Sequence, residues 1–164
     1  MGSYTISLLD LEGLRPLNTR AFGSMQMQFI SDFEGKFMRQ HRSFFESFRK
    51  RVGMYVMENR YVAVASFVEG YDAACEGGVL VGFREWLIIR LRFGQNLSWP
   101  ALVLHAAFPD AQSPQDCLGV QENSELIAIE TLFDLILEFD AAKQRTEGLR
   151  LIYADFEKVL SELV

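Results

Sequence analysis

The spacing of the apolar side chains constrains the fold of this chain more than any other feature of its sequence. From residue 24 onward, apolar residues recur at steps of three, four and seven, which places them on one face of an α-helix. A chain of 164 residues is long enough to bury a sizeable core in one domain. We therefore expect a compact all-α domain over 1–164, built as a bundle of five to seven helices.

Turn-forming residues divide this pattern into segments. Residues 1–23 are mixed in character and are predicted to form a short N-terminal arm, after which the first helix begins near Ser24. Its apolar face is rich in phenylalanine and comprises Phe29, Phe33, Phe37, Phe44, Phe48 and Val52. Further helices are predicted over 60–75, 98–107, 124–143 and 149–164, with a surface loop over 110–121. The segment 79–93 contains β-branched residues that permit a strand, although its spacing favours a helix.

Charge is distributed unevenly along the chain. From Asp110 to Val164 there are 12 acidic and 4 basic residues, whereas residues 1–109 contain 10 acidic and 12 basic ones. Within the predicted helix 124–143, Glu130, Asp134 and Glu138 follow one another at four-residue steps, and we call them the acidic row. Like charges at this spacing destabilise a helix by a few tenths of a kcal/mol each.

Two interpretations of the acidic row stay open at this point. It is either an ordinary solvated helix face or a surface that meets a basic partner, since acidic surfaces steer basic proteins toward them. Under the second interpretation, the candidate partner-binding residues are Glu125, Glu130, Asp134 and Glu138.

The opposite charge is concentrated in residues 36–51, which we call the basic segment. It contains six basic residues against Glu46: Lys36, Arg39, Arg42, Arg49, Lys50 and Arg51. We expect these side chains to dock against the acidic C-terminal helices of the same chain. The alternative is a nucleic-acid-associated regulatory module that uses this helix, which the sequence pI of about 5.0 disfavours.

No motif for catalysis, phosphate binding or metal binding occurs in the sequence. His41 and His105 lack the spacing of metal-ligand motifs, so we expect both to be structural, and we expect no cofactor and no metal. Glu69 and Asp72 lie three residues apart and are expected on a solvated helix face. The enzyme alternative is a helical small-ligand-binding protein or an unrecognised hydrolase that uses Glu69, Asp72 or His105.

The sequence features that bear on location favour a cytoplasmic protein. Cys75 and Cys117 have neither a disulfide framework nor metal-ligand spacing, and we expect thiols in a reducing compartment. The first residues lack the pattern of a signal peptide, and no apolar run approaches the length of a membrane span.

The segments Gly82-Phe83-Arg84-Glu85-Trp86-Leu87 and Asn96-Leu97-Ser98-Trp99-Pro100-Ala101-Leu102-Val103 resemble a pattern in small bacterial proteins. Those proteins are associated with the immunity partners of polymorphic or contact-dependent toxins. The resemblance covers 82–103 only and implies a small, cytoplasmic, non-enzymatic protein that binds one toxin tightly. Together with the charge pattern, it predicts a protein-binding inhibitor that neutralises a cognate toxin by covering its basic or active-site surface.

Overall fold

The computed structural model describes residues 40–120 and 122–163, all within the unit Met38–Val164. These residues form α-helices and one short 3-10 helix, Val52–Met54, without any strand, which confirms the predicted all-α class. The predicted arm 1–23 and the first part of the phenylalanine-rich helix lie outside the described residues, and the single domain over 1–164 stays a prediction. The α-helices are α1 (residues 40–50), α2 (Tyr61–Ala74), α3 (Phe83–Leu91), α4 (Trp99–Ala107), α5 (Pro114–Cys117), α6 (Ser124–Lys143) and α7 (Gly148–Leu163).

Helix α6 lies at the centre of the described helices. It packs against α2, α3, α4 and α7. Its contribution to the core is almost continuous along its length and comprises Ala128, Ile129, Leu132, Phe133, Leu135, Ile136 and Phe139. A helix that buries so much of its circumference leaves only a narrow strip for polar side chains. The acidic row lies on that strip.

An aromatic cluster joins α1 to α2 and α6. Phe48 is fully buried, and its ring lies 4.9 Å from that of Phe67 in α2 and 5.1 Å from that of Phe133 in α6, centroid to centroid. Phe44 stacks on Tyr71 of α2 with ring centroids 4.1 Å apart. The described part of the predicted phenylalanine face therefore points into the core, and the charged residues of α1 are left at its edges.

A second cluster joins α3, α4 and α6 through Phe83, Trp86, Trp99 and Phe139. The two tryptophans are half-buried at the border of the core. Gly82 precedes α3 with φ of +85°, and a Cβ atom there would lie 3.0 Å from the Leu149 side chain, so this entry to α3 requires glycine. The segment 79–93 thus contains a helix rather than a strand, but the helix begins only at Phe83.

The loop predicted over 110–121 contains a short helix, α5, which is a correction to the sequence-based expectation. Pro114 and Asp116 are turn-forming residues, but they also suit the first turn of a helix, where a missing N–H and a negative charge are both tolerated.

None of the described helices is long and apolar enough to cross a membrane.

Candidate functional site

Arginines from other elements approach the acidic row. Arg49 of α1 bridges two of its members: one guanidinium nitrogen lies 2.5 Å from Glu130 Oε2 and another lies 2.6 Å from Asp134 Oδ1. Burial alone would lower the pKa of Arg49, but hydrogen bonds to both carboxylates outweigh this effect and raise the pKa above its usual value. The like charges at positions 130 and 134 therefore share one counter-ion.

The other carboxylates of α6 are paired in the same way. Arg90 of α3 forms an ion pair with Glu138, and its guanidinium also lies 5.4 Å from the centre of the Trp86 ring. Arg42 of α1 lies 3.5 Å from Asp140 and donates a hydrogen bond to the Leu137 carbonyl at 3.2 Å. The carboxylates remain accessible nevertheless, since the side chains of Glu130, Asp134 and Glu138 are 40%, 56% and 50% exposed.

Docking of the basic segment on the acidic helix is thus confirmed for Arg42 and Arg49. Lys50 and Arg51 are exposed and make no ion pair with any described residue. Lys36 and Arg39 lie outside the described residues. The acidic row keeps a net charge of −1 after pairing with Arg49 and Arg90, which is far less than its sequence alone implies.

Glu125, the fourth predicted partner-binding residue, has a structural contact of its own. Its Oε2 accepts a hydrogen bond of 2.6 Å from the backbone N–H of Tyr61, the first residue of α2. The residue at the N-cap of α2, Arg60, makes no side-chain capping bond and lies 3.8 Å from Glu125 Oε1. Because the first N–H groups of a helix lack partners within it, Glu125 supplies from α6 the cap that α2 lacks.

Two large aliphatic residues are exposed beside the acidic row. Leu126 and Ile127 are 56% and 44% exposed. Leu126 precedes Glu130 by four residues, so the solvent-facing strip of α6 continues from carboxylates into apolar side chains. We call Leu126, Ile127 and the acidic row the α6 outer face. Both residues belong to the apolar positions of the predicted helix 124–143, so their exposure was not evident from the sequence pattern.

The structure also contains an open groove that no sequence motif predicted. It has a volume of about 520 Å³ and lies between α2, α4 and α5, and we call it the α2–α4 groove. Its lining is formed by Arg60, Tyr61, Val62, Ala65, Ser66, Glu69, Pro100, Ala101, Leu104, Gln115, Leu118 and Glu125. The sequence signal was the stripe Val62, Ala65, Ser66, Glu69, which has the three- and four-residue steps of one helix face.

The three residues of the enzyme hypothesis, Glu69, Asp72 and His105, do not line one common groove. Asp72 accepts hydrogen bonds from the backbone N–H groups of Val79 and Leu80, at 2.9 and 2.8 Å, so it holds the loop before α3 and is not simply solvated. Glu69 lines the α2–α4 groove, which neither Asp72 nor His105 lines. The His105 ring packs edge-on against Phe93 with centroids 5.0 Å apart.

The remaining candidate residues are His41, Cys75 and Cys117. His41 is buried, and its Nδ1 lies 2.7 Å from the Tyr71 hydroxyl; burial, followed by the charge of Lys143, lowers the pKa of His41. Cys75 and Cys117 are not joined in a disulfide. Within 40–120 and 122–163, no group of three or more histidine, cysteine or acidic side chains has the arrangement of a metal site.

Comparison with known proteins adds no family assignment. No protein-family model, no curated protein and no solved structure matches this chain.

Proposed function

We propose that this chain is a non-enzymatic protein-binding inhibitor, most concretely a bacterial immunity protein that acts in the cytoplasm. It neutralises a cognate toxin by covering a basic or active-site surface of that toxin. The α6 outer face is the contact surface, with Glu130, Asp134 and Glu138 as its charged members and Glu125 at its border.

The observation that carries the proposal is the combination of exposed aliphatic and acidic side chains on one rigid helix. An exposed apolar group gains free energy when a partner covers it, by about 25 cal/mol for each Å² removed from water. Carboxylates around such a centre give orientation to a basic partner. Leu126 and Ile127 supply the apolar part of this surface, and the acidic row supplies the charge.

The arginine pairs support the proposal because they order the carboxylates in advance. A long side chain loses about 0.5–1.5 kcal/mol of conformational freedom when an interface immobilises it. Glu130 and Asp134 are already held by Arg49 at 2.5 and 2.6 Å while about half of each side chain stays exposed. A cation of the partner can therefore approach carboxylates that are fixed in position. Arg49 and Arg90 neutralise most of the acidic row. We therefore assign the row the orientation of the partner, and Leu126 and Ile127 the larger share of the affinity.

The test uses basic toxin domains, beginning with the product of the neighbouring gene, and measures the dissociation constant by calorimetry. Leu126→Arg should weaken binding by about tenfold or more, because a well-buried Leu contributes roughly 1.5–3 kcal/mol. Asp134→Lys should slow association at low salt and do so less at high salt. The matched control is Glu157→Lys, which reverses an exposed acid of α7 that makes no ion pair with a described residue.

Two results would contradict the proposal. One is the absence of tight binding to any basic candidate at either salt concentration. The other is tight binding that both Leu126→Arg and Asp134→Lys leave unchanged, which would place the interface elsewhere. The two other hypotheses of the sequence analysis stay predictions. A salt-dependent shift of DNA would favour the nucleic-acid hypothesis, for which Lys50 and Arg51 are the exposed cations.

A further inference from the structure

The α2–α4 groove is built on a fixed framework. Tyr61 lines it, with only 2% of its surface exposed, and its hydroxyl donates a hydrogen bond of 2.7 Å to the Pro100 carbonyl in α4. The backbone N–H of the same residue donates to Glu125 of α6 at 2.6 Å. Tyr61 thus links α2 to α4 through its side chain and α2 to α6 through its backbone. A partner would meet a groove that is already formed, which lowers the cost of binding.

Apolar surface in the groove is exposed. Val62 is 62% exposed, and Pro100 and Ala101 are half-buried, whereas the lining residues Ala65 and Leu104 are buried. Leu118, which follows α5, adds a half-buried aliphatic side chain. The two helices therefore present a concave apolar strip, the shape that receives the apolar face of an amphipathic helix.

The charges around the groove differ from those of the acidic row. Most acidic residues in the described part of the chain have a basic partner, whereas Glu69 in the groove wall makes no ion pair with a described residue. The Glu69 side chain is also exposed. The single base of the lining, Arg60, lies at 3.7 and 3.8 Å from Glu58 and Glu125. The lining thus carries two acids and one base, and the carboxylate of Glu69 makes no ion pair with a described residue.

We propose that the α2–α4 groove is a second docking surface, which takes an amphipathic, lysine- or arginine-bearing helical segment of a protein partner. The apolar side of that segment covers Val62 and Leu118, and its cations meet Glu69. The inference rests on the proposed function only in that the partner is a basic protein. The residues of the α6 outer face take no part in it.

The test uses the full chain and two synthetic amphipathic peptides, one with leucine and lysine on a helix face and one with glutamate in place of lysine. Backbone amide chemical shifts report where each peptide binds. We expect the lysine peptide to shift amides of α2, α4 and α5, and the glutamate peptide to leave them unchanged. Val62→Arg should weaken this binding by about tenfold. Glu69→Lys should weaken it severalfold at low salt and less at high salt.

Two matched variants separate this inference from the proposed function. Glu157→Lys makes the same charge reversal on α7 and should change peptide affinity by less than about twofold. Leu126→Arg alters the α6 outer face and should leave peptide binding in the groove intact. Shifts confined to α6, shifts spread over the whole surface, absence of binding by the lysine peptide, or full binding by Val62→Arg would each overturn the inference. If Leu126→Arg abolishes toxin binding while Val62→Arg does not alter peptide binding, the groove is refuted and the proposed function is retained.

Discussion

Replacement of Arg49 by methionine tests whether α1 is fixed to α6 by charge. Methionine keeps most of the apolar stem and removes the guanidinium that contacts Glu130 and Asp134. Each partly exposed ion pair contributes about 0.2–1 kcal/mol. The loss also leaves two like charges four residues apart on α6, which costs a few tenths of a kcal/mol more. We expect the free energy of unfolding to fall by about 1–2 kcal/mol.

The assay is urea unfolding of wild type and Arg49→Met at low and high salt. For a chain of this size, each kcal/mol corresponds to about 2–4 °C in Tm, so thermal unfolding gives an independent check. The difference between the two proteins should shrink in 1 M salt, where the Debye length falls to about 3 Å. Lys50→Met is the matched control, because the neighbouring cation is exposed and makes no ion pair with a described residue, and it should change stability little.

A double-mutant cycle with Asp134→Asn makes the test sharper. If Arg49 acts through its carboxylate partners, the effects of the two single substitutions are not additive, and the coupling is about 0.5–1 kcal/mol. An Arg49→Met protein as stable as wild type would refute the reasoning. So would a loss of stability that salt does not reduce and that adds to the loss from Asp134→Asn, because packing rather than charge would then be its cause.

Further substitutions test contacts elsewhere. Gly148→Ala should lower the free energy of unfolding by about 1–3 kcal/mol, measured by urea unfolding, because the added Cβ would lie under 3.0 Å from backbone oxygens at the end of α6. Gly70 has open space around it, so Gly70→Ala should instead raise the free energy of unfolding by up to about 1 kcal/mol. Asp72→Ala should cost about 1–3 kcal/mol, since two backbone N–H groups lose their acceptor, whereas Asp72→Asn keeps one acceptor oxygen and should cost less. Burial lowers the pKa of His41 below 6.5, so the unfolded chain binds this proton more tightly than the folded chain does. The free energy of unfolding should therefore decline as pH falls below about 6.5. His41→Gln should flatten that part of the curve of stability against pH.

Local patterns in the sequence predicted the helices well and predicted the site only in part. The segment predicted over 124–143 coincides with α6 because twenty residues of sustained periodicity lie between clear end signals. The four-residue helix α5 was missed, since its proline, serine and aspartate occur equally in turns. The exposed state of Leu126 could not be predicted either, because the apolar pattern of α6 covers most of its circumference.

The counter-ions of α6 show why charge in a sequence is a poor guide to charge on a surface. The helix has five acidic residues and no base before Lys143, yet each of the five has an arginine partner. These arginines come from α1, from the N-cap of α2 and from α3, and three of the four are separated from their partners by more than 60 residues of chain. Sequence reasoning finds pairs three or four residues apart on a helix and has no access to pairs made by tertiary packing.

The use of arginine alone in these pairs has a consequence for binding. A guanidinium fork makes two directed hydrogen bonds, as Arg49 does, so it fixes the carboxylates more firmly than a lysine ammonium would. A basic partner at the α6 outer face therefore meets carboxylates that are oriented but largely neutralised, and steering toward that face is weak. At the α2–α4 groove Glu69 lacks such a partner, so the attraction for a cation is stronger at that carboxylate. The difference in attraction between the two surfaces can be measured. Glu69→Lys should reduce the association rate of a basic partner more than Asp134→Lys does.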